Sequence, residues 1–156
     1  MRIFKLLLIV LVAGTAFYSC KPTYDKKYSW AYPVAGDWSV KAYINGTLYG
    51  GPYEIRSFNP SMGRDSIWID DNATTSADGT FSSFKVKAAV DMSNKTFKTT
   101  GCTNAIKGYP IRIVVSNGQI IGKDSITFNI VFSDDPTTTY KLAGHREVSY
   151  EEYTQQ

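Results

Sequence analysis

An all-β fold, an antiparallel up-and-down β-barrel of about eight strands, is what this sequence predicts, and three observations point to it. From Asp37 onward, apolar residues recur at every second position, the period of a strand with one buried face. The alternating runs are separated by turn chemistry, above all Asn45-Gly46 and Asn117-Gly118. Such dipeptides suit type I′ hairpins because both central residues take positive φ. No helical repeat is sustained anywhere beyond the apolar leader. A two-sheet sandwich would fit the same alternation, but closing the sheet removes its exposed edges.

Taken in order, residues 1–19 read as a signal peptide. Arg2 and Lys5 give a basic start, and Leu6 to Phe17 is apolar but too short for a membrane span. Phe17-Tyr18-Ser19-Cys20 resembles a bacterial lipobox, which implies cleavage before Cys20 and acylation of its sulfur. Phe17 and Tyr18 stand where such motifs carry Leu and a small residue. The alternative is an ordinary cleaved signal with an incidental Cys. Residues 20–33 read as the acylated Cys and a tether, with two Pro, three Lys and no periodicity. The expected place is the cell envelope, anchored to a membrane through acyl chains, with the outer membrane favoured and its side left open. Removing 19 residues from 156 leaves 137, enough for one domain with a core, and takes Lys+Arg from 17 to 15 against 14 acids. The resulting charge of +1 gives no argument for nucleic acid.

Residues 34–150 are the expected barrel. In the first strand Trp38, Val40, Ala42 and Ile44 alternate with Ser39, Lys41 and Tyr43, and Asn45-Gly46 turns the chain. Thr47–Tyr49 and Tyr53–Phe58 flank Gly50-Gly51-Pro52, which predicts a broken or bulged strand. Arg64 to Asp70 puts Ile67 and Ile69 on one face and Trp68 on the other; a polar loop from Asp71 to Gly79 follows. Phe84, Val86, Ala88 and Val90 then alternate with Lys85 and Lys87. Residues 92–95 turn into a short strand through Phe97, and Gly101 to Gly108 is a longer connection. Ile111, Ile113 and Val115 form the next inward row, ended by Asn117-Gly118. Ile126, Phe128, Ile130 and Phe132 form another, with Gly122 as a bend, and Asp134-Asp135-Pro136 turns the chain. Tyr140, Leu142, Gly144, Arg146 and Val148 share a face of the last strand. Residues 151–156 are a polar tail.

Gly36 and Trp38 open the first strand, and Arg146 lies in the last, phased with Leu142. This arrangement resembles the calycin superfamily of lipocalins, fatty-acid-binding proteins and avidin-like barrels. The resemblance implies that Gly36, Trp38 and Arg146 close one barrel end, the guanidinium packing on the indole face. The layout of Cys20, Trp30, the run Tyr32 to Trp38 and Gly144-His145-Arg146 also resembles the Bacteroidetes lipoproteins described as the lipid-binding putative hydrolase family. That resemblance implies a lipocalin-like barrel binding a lipid or other small apolar molecule. Its hydrolase label falls on no motif of this sequence.

Catalytic chemistry has one candidate base, His145, whose alternation with Arg146 turns it to solvent. No G-x-S-x-G elbow marks Ser66, Ser116 or Ser125 as a nucleophile. The acid pairs Asp70-Asp71, Asp134-Asp135 and Glu151-Glu152 are adjacent in sequence. On a strand they would point to opposite faces and could not act across a cleft. A single His and a single Cys beyond Cys20 leave zinc without ligands, and no metal or cofactor is expected. Cys102 reads as a small buried hydrophobe. Binding remains. Phe84, Phe128 and Phe132 are the candidate ligand contacts. Tyr43, Tyr53 and Trp68 are the candidate surface aromatic patch, which would serve an accessory lipoprotein with a filled barrel meeting a glycan or an outer-membrane protein.

Overall fold

The computed structural model describes residues 28–71 and 81–147. The predicted signal peptide, Cys20 and the tail fall outside them. Among the described residues nine strands follow one another: β1 (Gly36–Ile44), β2 (Thr47–Phe58), β3 (Ser66–Asp70), β4 (Lys85–Asp91), β5 (Thr96–Lys98), β6 (Cys102–Thr103), β7 (Arg112–Ile121), β8 (Ser125–Phe132) and β9 (Asp135–Arg146). All pairings are antiparallel, in the order β5-β4-β3-β2-β1-β9-β8-β7-β6, and β5 also pairs with β7. That pairing closes eight strands into a barrel. β6 is an extra two-residue strand on the end of β7. The predicted all-β, lipocalin-like barrel is the fold.

Alternation explains the packing. β4 buries Val86 and Ala88 and exposes Lys87 and Ala89; β8 buries Ile126, Phe128, Ile130 and Phe132. Inward side chains from all eight barrel strands join one cluster, among them Val40, Ile55, Ile67, Phe97, Ile113 and Leu142. Phe84 and Phe128 are wholly buried within it. At roughly 25 cal/mol per Å² of apolar surface removed from water, this filled interior is the main stabilising term.

The barrel has two ends. One carries the start of β1, the end of β9 and the turns at residues 92–95 and 122–124; the other carries the turns at 45–46 and 133–134, the end of β3 and the longer connection after β5. The first is covered by the chain before β1. Val34 and Ala35 donate their N–H groups to the Ala31 carbonyl at 2.8 and 2.7 Å, making a tight turn. Ala31 and Val34 are fully buried on the core, so packing starts ahead of residue 34.

Two turns differ from expectation. Asn117-Gly118 is not a hairpin turn but lies inside β7, where the register with β8 shifts between Ser116 and Gln119. Asn117 takes φ 52° and forms a bulge. The Gly118 backbone lies against Phe97, where a Cβ would sit 2.3 Å from a ring carbon. The β7–β8 turn is Gly122 to Asp124 instead, with Gly122 at φ 64°. Likewise the β8–β9 turn is Ser133-Asp134, and Asp135 already pairs with Phe132.

Asp71, just after β3, is fully buried. Its carboxylate accepts the Ser82 N–H at 2.9 Å through Oδ2, while Oδ1 has no partner among the described residues. Burial pushes its carboxyl above the ordinary range, against the pull of the nearby backbone N–H groups. A raised native pKa means that the folded state binds the proton more tightly. Stability is therefore lost as pH rises from the ordinary carboxylate range through the raised value. Asp71→Asn cannot titrate. Relative to this variant, the native chain is expected to gain stability as the pH is taken down through that window. Denaturant midpoints at neutral and mildly acidic pH check this; a difference between the proteins that does not change with pH would contradict it.

Candidate functional site

Three regions hold the residues to which function could be assigned: the covered end, the opposite mouth and one stretch of the barrel wall. At the covered end Trp38 is fully buried, and its indole N–H donates to Ser57 Oγ at 2.8 Å. Ser57 Oγ in turn donates to the Val34 carbonyl at 2.7 Å. Arg146, paired with Trp38 across β1 and β9, lays its guanidinium carbon 4.3 Å from the indole centroid and 5.7 Å from the Tyr32 ring. It also donates to the Lys123 carbonyl at 3.1 Å and to the Ala35 carbonyl. Gly36 permits this approach, because a Cβ there would stand 2.3 Å from Arg146 Nη1. Gly36, Trp38 and Arg146 thus lie together and organise the end cap. None of them faces an open cavity among those described below.

The mouth at the opposite end holds a basin of about 220 Å³. Tyr49 from β2, Phe81 from the connection before β4, and Phe132 and Tyr140 from β8 and β9 line it. Phe81 lies 5.2 Å from Tyr140 and 6.0 Å from Phe132, and Tyr49 lies 5.3 Å from Tyr140, distances typical of aromatic pairs. Asp134 accepts from the Tyr109 hydroxyl at 2.5 Å and Asp135 from the Tyr140 hydroxyl at 3.0 Å. Burial, with the Asp135 carboxylate beside it, pushes the Tyr140 phenol up to about 12. The Tyr109 phenol is also raised, chiefly by its bond to Asp134. Both phenols stay protonated donors at neutral pH.

The adjacent-acid rule fails at Asp134-Asp135. Asp134 sits in the turn, and Asp135 opens β9 opposite inward-facing Phe132. A register irregularity between Ile130 and Phe132 then resets the alternation, so Asp135 and Tyr140 meet although they are an odd number of residues apart.

The third region is a groove of about 540 Å³ on the wall where β4, β5 and β7 meet. β5 is only three residues long, so the wall is thin there. Val90, Phe97 and Gly118 pair side by side across the three strands beneath the groove, with Phe97 buried in the core and Val90 half-buried. Ala89, Lys98 and Gln119 stand at its rim. The Phe97 ring lies 5.8 Å from Phe128, one layer inside.

The proposed ligand phenylalanines separate accordingly. Phe84 and Phe128 are wholly buried core and line neither cavity, whereas Phe132 lines the mouth basin. The expected aromatic patch does not exist as one surface. Tyr53 is a correction: it pairs with buried Val40, packs on the core and lies 5.3 Å from Phe81, so it faces inward. Tyr43 pairs with Leu48 and Trp68 with Phe58, positions about 30 Å apart along β2. Trp68 is half-buried, with the Lys85 ammonium 5.8 Å from its ring. Cys102 is only partly buried and packs against the core. His145 is exposed, between Ser39 and Ser125 on the neighbouring strands. No hydrogen bond joins it to a serine or an acid among the described residues.

Sequence reasoning missed Tyr49, Phe81, Tyr109 and Tyr140 as a group because they come from four separate segments. The signal for Tyr53 was present: it has the parity of Ile55 and Ser57, both buried.

No curated protein matches the chain. Residues 23–151 match the family model described as "Lipid-binding putative hydrolase", and the chain, itself a β-barrel, belongs to that lipid-binding family.

Proposed function

We propose that this chain is a cell-envelope lipoprotein, cleaved before Cys20 and acylated on its sulfur, whose barrel holds the alkyl chain of a lipid in the groove between β4 and β7. The observation that carries the reading is the groove itself. Side chains occupy the interior, so an alkyl chain has its best place against the thin stretch of wall. There exposed Ala89 and half-buried Val90 offer apolar surface and about 540 Å³ is open. At ~30 Å³ per water-sized group, that is the scale of a long acyl chain. The family description and the leader ending in Cys20 support the same reading. The outer membrane is the favoured location.

The test is uptake of a dansyl-labelled fatty acid by the full chain and by its Ala89→Trp variant. Ala89 is exposed at the groove rim, so the indole fills the groove without entering the core. Binding is expected to weaken roughly tenfold or more, equivalent to ~1.4 kcal/mol. Equal binding by the variant would move the site elsewhere, and no uptake by the native chain would remove the lipid reading.

An accessory role, in which a filled barrel meets a glycan or an outer-membrane protein through surface aromatics, draws on the same filled interior. It lacks a patch, because Tyr43, Tyr53 and Trp68 lie apart. A hydrolase role would need His145 to gain a nucleophile and an orienting acid.

A further inference from the structure

We infer that the mouth basin is a binding site for an organic ammonium group, separate from the lipid groove. The wall groove and the basin share no lining residue.

The chemistry of the basin selects the ligand. The faces of Tyr49, Phe81, Phe132 and Tyr140 are electron-rich, and a cation within about 6 Å of such faces is attracted to them. Asp134 and Asp135 add two carboxylates whose partners here are neutral hydroxyls, the Tyr109 and Tyr140 phenols and, at 3.5 Å from Asp135, Thr137. Among the described residues, no Lys or Arg lines the cavity and neither acid forms an ion pair. The phenols donate to the carboxylates and remain neutral, so they hold the acids in place without cancelling their charge. The basin therefore combines net negative charge with aromatic walls. A neutral sugar would use the rings and hydroxyls but would leave two carboxylates without counter-charge. An anion would be repelled. A methylated ammonium fits both features, presenting apolar methyl groups to the rings and diffuse positive charge to the acids.

Size agrees. About 220 Å³ is room for about seven water-sized groups at ~30 Å³ each, the scale of choline and well short of an acyl chain. The site is preformed: the rings brace one another, and Tyr109 and Tyr140 pin the two carboxylates. Little ordering is left for the ligand to impose.

The experiment is calorimetric titration of the full chain with choline chloride, with the neutral carbon isostere of choline and with glucose. Saturable choline binding is expected, with neither neutral compound competing. Tyr49→Leu and Asp135→Asn are each expected to weaken choline binding about 5-fold or more. Tyr49 is 56% exposed, so its variant keeps the fold, which an unchanged thermal midpoint checks. Equal binding of the isostere, glucose binding without choline binding, or undiminished choline binding by both variants would overturn the proposal. A short-chain phosphatidylcholine below its micelle concentration separates the two sources of the group. Affinity at or above that for choline marks a lipid headgroup as the ligand, and weaker affinity marks a free amine. Because the fatty-acid assay uses a ligand without an ammonium group, the groove and the basin can fail independently.

Discussion

Trp38→Ala is expected to cost about 3–5 kcal/mol of stability, out of a total of the order of 5–15 kcal/mol for a domain of this kind. The side chain is fully buried and ties three parts of the chain together. Its indole N–H feeds Ser57 Oγ on β2, and Ser57 passes the bond to the Val34 carbonyl in the covering turn. Its face carries the Arg146 guanidinium from the end of β9. Truncation opens a cavity under the cap, leaves the Ser57 hydroxyl without its donor and removes the surface on which a partly buried cation rests. Trp38→Phe separates these effects. It keeps a ring under Arg146 and gives up the indole N–H, so a loss nearer 1 kcal/mol is expected. Denaturant unfolding of the three proteins measures both. A cost for the alanine variant within the ~0.5 kcal/mol usual for surface changes would show that the end cap does not depend on the indole.

Where the chain keeps strict alternation, its fold is legible. Phe84, Val86 and Ala88 go inward and Lys87 outward, as a two-residue period requires. The pairing of Trp38 with Arg146 could be read because two ordinary strands set the phase of both residues. Legibility fails where the period is interrupted. Asn117-Gly118 has hairpin chemistry, yet positive φ at Asn117 serves a bulge equally well, and the need to fit Gly118 beneath Phe97 is invisible without the neighbouring strand. The rule that adjacent acids diverge holds within a strand and lapses at Asp134-Asp135, where a turn and a register shift intervene. The mouth basin was unreadable for a further reason. Tyr49, Phe81, Tyr109 and Tyr140 are unremarkable in their own segments and acquire meaning only when closure gathers the loops at one end. The wall groove owes its existence to β5 being three residues long, and strand length is set by pairing rather than by local composition.

Gly144→Ala is expected to destabilise the barrel by about 3 kcal/mol or more, although replacing Gly by Ala within a strand ordinarily helps by roughly 0.5–1 kcal/mol. The sign reverses because of what the new Cβ would meet. At Gly144 it would stand 1.9 Å from the Ser39 carbonyl oxygen and 2.6 Å from Val40 Cα. These are backbone atoms of β1 and cannot swing aside. At Gly36 the nearest atom is the flexible end of Arg146, and a substitution there can be relieved by moving that side chain. Gly144 pairs with Val40 on one side and Ile126 on the other, so pushing β1 away parts the seam between the first and last strands. Closure depends on that seam, and a strand displaced from it exposes unpaired N–H and C=O groups along both edges. The loss should therefore be cooperative, with β1 and β9 amides exchanging together rather than a local dent around residue 144. Hydrogen exchange alongside denaturant unfolding tests this. An alanine variant as stable as the native chain, with β1 and β9 still protected, would mean that the two strands have room to spare at this crossing.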